Sequence, residues 1–156
     1  MIKICFVCLG NICRSPMAEF VFKDMVKSAG CDKDFYVVSK ATHSDNIWNG
    51  SGAPIYPQAQ QCLTAHGIPF DSSKEATLLK SSDYEAFDYF VGMDNDNLYY
   101  MRKKLGGDPR HKIHALMEYT PQGGEVADPW YTRNFEKAFA DIQSGCAGLL
   151  TYLRNN

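Results

Sequence analysis

Cys8 and Arg14 stand six positions apart in the stretch IKICFVCLGNICRSPMAEF, with Gly10 and Asn11 between them and Ser15 and Pro16 directly after. These residue types at this spacing suit nucleophilic attack on a bound oxyanion ester. Gly10 and Asn11 tolerate positive φ, so successive N–H groups of Leu9, Gly10, Asn11, Ile12 and Cys13 can turn inward as an anion-binding nest. A helix that begins near Ser15 adds its positive end. Pro16 suits the first position of that helix, where a missing N–H costs little. Arg14 brings a planar fork that grips two oxygens of a phosphate. The same field eases the proton off the Cys8 thiol, which then faces the phosphorus as an activated nucleophile. Ser15 reads two ways: as a hydroxyl that eases the later departure of the sulfur, or as a helix cap.

Cys-x5-Arg-Ser alone fixes few positions, and its specificity comes from the elements that must hold it. IKICFVC reads as a short buried strand. Over 16–29, Ala18, Val21, Phe22, Met25 and Ala29 recur at helical spacing, and Gly30 ends the helix. FYVVSKA is a second strand, 57–66 a helix stopped by Gly67, and FDYFVGM a third strand. DNDNLYYMRKKL reads as a helix whose acidic first turn and basic last turn suit its dipole. KIHALM is the fourth strand. A last helix covers 134–153, with Phe135, Ala138, Phe139, Ile142, Cys146, Leu149 and Leu153 on one face. Four β–α repeats predict an α/β fold. It is a three-layer, doubly wound sandwich whose four-stranded parallel sheet, in the order 2-1-3-4, carries helices on both faces. Ligands of such sheets bind at the carboxyl ends of the strands where strand order reverses, and the loop 8–15 follows the first strand.

A length of 156 residues predicts one domain, 1–156, and 45% hydrophobic content supplies an ordinary core. A formal net charge of -2 gives no field that would draw nucleic acid or an anionic membrane. No segment approaches the length of a membrane span. The first apolar run is broken by Gly10, Asn11 and Arg14, a poor signal peptide, so the expected compartment is the cytoplasm. A chain of this length with regular helices needs no disulfide staples for its six cysteines. The histidines do not cluster with cysteines, and on a strand His111 and His114 would point to opposite faces. No metal site and no cofactor is therefore expected. GxxxxGK[ST] and GxGxxG are both absent, which disfavours nucleotide binding by those routes. DNDNL lacks the glycine and terminal glutamate of a calcium loop.

VCLGNICRSPMAE resembles the phosphate loop of the low-molecular-weight protein tyrosine phosphatases, and the resemblance runs along essentially the whole chain. IWNG at 47–50 is similar to the variable substrate loop of that family. CLTAHGI at 62–68 and FDYFVGMDNDNL at 87–98 are similar to core segments, and ADPWY at 127–131 to the Asp-Pro loop that carries a general acid. The resemblance implies hydrolysis of phosphotyrosine, in proteins or in small aryl phosphates, through a phosphocysteine intermediate without metal. Cys8, Arg14 and Asp128 would be the catalytic residues. A tyrosine oxygen, with a pKa near 10, leaves more readily with a proton. Asp128 would donate it and then act as base for water. Pro129 stiffens that segment, and Trp130 and Tyr131 can wall the entrance and contact an aryl ring. Read alone, Asp-Pro before aromatics is a turn; paired with the cysteine loop it becomes a site. Trp48 sits in a polar loop that would have trouble burying it, which favours ligand contact. By resemblance it faces Trp130 and Tyr131 across the cleft.

The resemblance further implies a reversible disulfide between Cys8 and Cys13, and hence a thiol reductant as partner. Cys5, Cys31, Cys62 and Cys146 are then structural thiols. Asn11 and Ser39 match positions that brace the loop. Asp94 matches a supporting acidic position, or reads as a helix cap. One departure stands out. Many family members carry a histidine in the loop after the second helix, where this chain has DSSKEATLL, with Ser72 and Ser73.

Three other readings compete. An arsenate reductase on the same fold relays electrons through two further cysteines, but residues 70–100 contain none. Arginine phosphatases that resemble this loop carry a threonine where Ile12 stands; the bulkier Ile12, with an aromatic collar, favours an aryl ester. A phosphotyrosine-binding module without turnover has no use for Cys8, Arg14 and Asp128 together.

Overall fold

In the computed structural model, which describes residues 1–156, the apolar runs pair and the periodic segments coil in the order the sequence dictates. The elements are β1 (Ile2–Cys8), α1 (Arg14–Ser28), β2 (Phe35–Ala41), a small hairpin of β3 (Ile47–Trp48) and β4 (Ser51–Gly52), α2 (Pro57–Ala65) and α3 (Asp83–Ala86). They continue with β5 (Tyr89–Gly92), α4 (Asn95–Leu105), β6 (Ile113–Ala115), α5 (Pro129–Thr132) and α6 (Phe135–Arg154), and single 3-10 turns lie at Asp32–Asp34 and Leu116–Tyr119. The main sheet is parallel, in the order β2-β1-β5-β6. Counting its four strands along the chain, this is the expected 2-1-3-4 arrangement.

Alternation along β1 divides the core. Ile4, Phe6 and Cys8 face the larger apolar cluster, shared with Met17, Phe22, Phe139 and Leu149 of α1 and α6. Cys5 and Val7 face the smaller one, with Phe90, Met101 and Leu105. Cys5 and Cys8 are spaced Cys-x-x-Cys, yet the two-residue strand period puts them on opposite faces. The chain leaves β1 for α1 on one face and leaves β5 for α4 on the other. Strand order therefore reverses between β1 and β5, and a crevice opens at their carboxyl ends.

Some boundaries differ from the sequence reading. Helix α1 begins at Arg14, which makes Pro16 its third residue, still within the turn whose N–H groups lack intrahelical partners. The fourth strand is only three residues long and runs into a 3-10 turn. His111 lies before that strand, with φ 53, so the opposite-face argument does not apply to it. No helix is long and apolar enough to cross a membrane.

Candidate active site

Hydrogen bonds turn the loop after β1 inside out. Its carbonyls are tied outward: Cys8 O accepts from Thr42 N (3.0 Å), Leu9 O from His43 N (3.1 Å), Ile12 O from Tyr56 N (2.8 Å) and Cys13 O from Met17 N (3.1 Å). Gly10 O accepts from Asn46 Nδ2 at 3.2 Å. The backbone N–H groups of Leu9, Gly10, Asn11, Ile12 and Cys13 donate to no backbone acceptor. A crown of donors with no acceptor of its own is the geometry that receives an oxyanion. Asn11 makes the turn with φ 54. Gly10 does not take positive φ; a Cβ there would meet Asn46 Nδ2, the far end of a side chain that would have to move aside.

Cys8 is buried at the end of β1, and its Sγ lies 3.0 Å from Ser15 Oγ. Ser15 is inside α1, and the residue in the cap position is Cys13, with no side-chain cap bond. The hydroxyl is therefore spent on the sulfur. Asn11 Nδ2 donates to Ser15 Oγ (2.8 Å) and to Ser39 Oγ (2.9 Å), and Ser39 Oγ donates to Glu19 Oε1 (2.6 Å). Asn11 Oδ1 accepts from Thr77 N (3.0 Å) and from Lys74 Nζ (3.2 Å). Lys74 was not apparent in the sequence. It is aimed inward by a turn in which Asp71 Oδ1 accepts from the N–H and hydroxyl of Ser73.

Arg14 is 3% exposed. Its Nη1 donates to Asp94 Oδ2 (2.8 Å) and to Val126 O (2.7 Å), while Nη2 lies 3.5 Å from Asp128 Oδ2. Burial works to lower the guanidinium's affinity for its proton. The negative charge available on Cys8, Asp94 and Asp128 outweighs it and holds Arg14 above its ordinary pKa. Asp94 serves twice, as Arg14's partner and as the cap of α4, accepting from Asn97 N at 2.8 Å. Asp128 caps the single turn of α5, with Oδ1 accepting from Trp130 N at 3.0 Å. Pro129 at the first position fits that start.

Cys8, Arg14, Asp94 and Asp128 line a cavity of about 850 Å³ that also receives Asp45, Asn46 and the start of α4, while the side chains of Asn11 and Ser15 are buried behind its wall. Leu9, Gly10, Ile12, Cys13, Trp130 and Tyr131 are on its wall. Trp130 meets Tyr56 edge-on at 5.4 Å between centroids, and Tyr56 stacks on Phe135 at 6.0 Å. Tyr56 and Phe135 both line the cavity, although the first drew no notice in the sequence and the second read as core. Tyr131 is 83% exposed. Trp48 is exposed on the β3–β4 hairpin and does not reach the wall.

All six cysteines are free thiols. Burial, then the charge of Cys8, pushes the Cys13 thiol up; burial alone does the same to Cys146. One expectation is corrected: a histidine does approach a cysteine. Cys62 of α2 and His66, the residue that follows its end, lie one turn apart, and their ligand atoms lie with that of Glu136 within 4.8 Å of one another. His66 Nε2 and Glu136 Oε2 are hydrogen-bonded at 2.6 Å, and the His66 ring stacks on Phe139 at 4.0 Å. Burial and Glu136 push the Cys62 thiol up to about 11. The pair ties α2 to α6.

Residues 3–156 match the family model described as low molecular weight phosphotyrosine protein phosphatase. The chain is 35% identical over 156 residues to the low molecular weight protein-tyrosine-phosphatase YfkJ of Bacillus subtilis, covering 99% of this chain and 97% of that one. Among solved structures, SP-PTP, the low molecular weight protein tyrosine phosphatase of Streptococcus pyogenes, superposes with a TM-score of 0.86 at 38% identity, covering 98% of this chain and 93% of its own. DARP, a drosophila arginine phosphatase, superposes with a TM-score of 0.84 at 31% identity, covering 97% of this chain and 98% of its own.

Proposed function

The chain belongs to the low molecular weight phosphotyrosine protein phosphatase family, and from that premise we propose how its residues hydrolyse phosphotyrosine. The phosphoryl oxygens sit in the crown of N–H groups from Leu9 to Cys13 and on the Arg14 fork. The Cys8 thiolate attacks phosphorus, the bond to the tyrosine oxygen breaks, and Asp128 gives that oxygen its proton. The product is phosphocysteine and a neutral phenol. Asp128, now a carboxylate, takes a proton from water, whose oxygen attacks the phosphorus. The S–P bond breaks, the Ser15 hydroxyl donates to the departing thiolate, and inorganic phosphate leaves. Charge building on the phosphoryl oxygens meets donors already fixed in place.

The observation that carries this reading is the loop itself: carbonyls tied outward, N–H groups uncommitted, and a cysteine and an arginine at its two ends. Ile12 on the wall and the Tyr56–Trp130 pair favour a flat aryl group. The likeness to the drosophila arginine phosphatase makes phosphoarginine the comparison substrate.

The test is turnover of p-nitrophenyl phosphate, phosphotyrosine and phosphoarginine by wild type, Cys8→Ser and Arg14→Lys. Wild type is expected to show a higher kcat/KM for phosphotyrosine than for phosphoarginine. Cys8→Ser should abolish turnover yet still bind vanadate. Arg14→Lys should damage both, because an ammonium cannot reproduce the fork. Near-wild-type activity in Cys8→Ser would end the covalent mechanism.

A further inference from the structure

We infer that Cys62, His66 and Glu136 bind a zinc ion, at a site that joins α2 to α6 and takes no part in the reaction proposed above.

The geometry begins at the end of α2. His66 N donates to Cys62 O at 3.2 Å, so a helical turn still links the two, and residues four apart on such a turn are neighbours. The first turn of α6 brings Glu136 to them. The sulfur, the imidazole nitrogen and the carboxylate oxygen lie within 4.8 Å of one another. Tetrahedral zinc, with bonds of about 2.0–2.3 Å, holds its ligand atoms roughly 3.3–3.8 Å apart. Closing the set onto an ion asks no separation to shrink by more than about 1 Å, and the 2.6 Å bond between His66 Nε2 and Glu136 Oε2 opens to admit it. Two of the ligands are already fixed. Cys62 is buried, and the His66 ring lies flat on Phe139, 12° from parallel. The third supplies the movement, since the Glu136 side chain is 65% exposed.

The donor set selects the ion. A thiolate, an imidazole and a carboxylate suit zinc, whereas magnesium and calcium take oxygen shells. Glu136 pairs with His66, and no lysine or arginine pairs with it. The Cys62 thiol has only long contacts, to Phe135 O at 3.8 Å and to Glu136 Oε1 at 3.9 Å. A tie between helices needs the His66–Glu136 bond alone and gives no reason for a thiol beside the same carboxylate. When zinc binds, the Cys62 S–H bond breaks, its proton passes to solvent and a sulfur–zinc bond forms, with no change of oxidation state. The thiolate and carboxylate then balance the 2+ charge, and the site is neutral between the two helices. The His66 side chain is 38% exposed, so the fourth position faces solvent and takes water. Tyr56 directly before α2 and Phe135 at the start of α6 are both on the cavity wall. The ion would fasten together the helices that carry them.

The test is a titration with cobalt(II), which occupies zinc sites and reports a thiolate ligand by a near-ultraviolet charge-transfer band. The protein is the full chain carrying Cys8→Ser and Cys13→Ser, so that the loop thiols cannot compete. One cobalt ion should bind per chain with that band; zinc should displace it, and excess magnesium should not. Cys62→Ser should abolish the band. His66→Gln keeps a hydrogen bond to Glu136 but is a poor ligand. It should weaken zinc binding, read by calorimetric titration, at least about 100-fold, since even the groups behind a metal ligand are worth 10–100-fold. Zinc at a hundredfold excess over its dissociation constant should raise Tm by roughly 5–10 °C, and this rise should be lost in His66→Gln. That variant alters a half-exposed side chain, so it judges the site even if Cys62→Ser fails to fold. Absence of the charge-transfer band would overturn the inference and leave the three residues as a tie between helices. A band and an affinity that survive in His66→Gln would also overturn it, by placing the metal elsewhere, and so would displacement by magnesium.

Discussion

In the proposed mechanism Asp128 divides its two oxygens between scaffold and chemistry. Oδ1 caps α5 through Trp130 N, and Oδ2 faces the Arg14 guanidinium at the cavity wall. Replacing it with asparagine keeps an oxygen for the cap and removes the transferable proton. The need for that proton depends on the leaving group. Phosphotyrosine and phenyl phosphate leave as strongly basic phenolates, whereas a phenol bearing several fluorines can depart without help. Asp128→Asn should therefore lower kcat by about 10²–10⁴-fold for the basic leaving groups, and the loss should shrink as the phenol becomes more acidic. Vanadate should bind about as before, since Arg14 and the loop N–H groups are untouched. The measurement is a series of aryl phosphates with pre-steady-state bursts to identify the slow step. An equal loss across the series, with cleavage slow throughout, would remove Asp128 from the acid role.

At the scale of elements, the packing of α6 is what places Phe135 behind Tyr56 and Trp130. Gly148 lets that helix lie against the 3-10 turn Leu116–Tyr119; a Cβ there would collide with the Tyr119 carbonyl oxygen and lie 2.9 Å from its carbon. Backbone cannot swing away as a side-chain end can. Gly148→Ala should cost about 3 kcal/mol, the upper part of the overpacking range, despite alanine's better helix propensity. Urea unfolding reads it, and a stability within about 0.5 kcal/mol of wild type would show that the helix can shift freely. The long elements were legible because their periodicity is: β1 alternates between two cores, and α6 shows one apolar face. The β3–β4 hairpin and the single turns α3 and α5 were not, because two to four residues carry no period. The hairpin had only Asn49 and Gly50, both at positive φ, as its signal. At the cavity, Cys8 and Arg14 were legible from one loop motif, and Asp128, whose Asp-Pro read alone is a turn, only through the family resemblance. Lys74 was not, since it meets Asn11 across 63 residues of sequence, and neither was Tyr56, whose role depends on Trp130 and Phe135 arriving from afar. The Cys62–His66 pair had a readable signal, four residues apart at the end of a helix.

For the molecule as a whole, the loop is a junction. Through its carbonyls it is tied to the segment after β2, to Asn46 beside the hairpin and to the residue before α2. Through Arg14 it is tied to the cap of α4 and to Val126. In the proposed mechanism an anion in the crown would restrain both faces of the sheet at once, and it would bind the folded chain only. Mass action then stabilises the fold by about 2.7 kcal/mol at a hundredfold excess over the dissociation constant. For a domain of this size each kcal/mol is worth about 2–4 °C, so saturating phosphate should raise Tm by roughly 5–10 °C. Phosphate also stabilises proteins by exclusion from their surface, and Arg14→Ala supplies the correction, because it removes the fork but not the surface. The expected result is a concentration-dependent rise in wild type and Asp128→Asn that is largely lost in Arg14→Ala. Scanning calorimetry in phosphate, against sodium chloride of equal ionic strength, measures it. If Arg14→Ala rose as far as wild type, the stabilisation would belong to the solvent, and the loop could not be the anion site that joins the two faces.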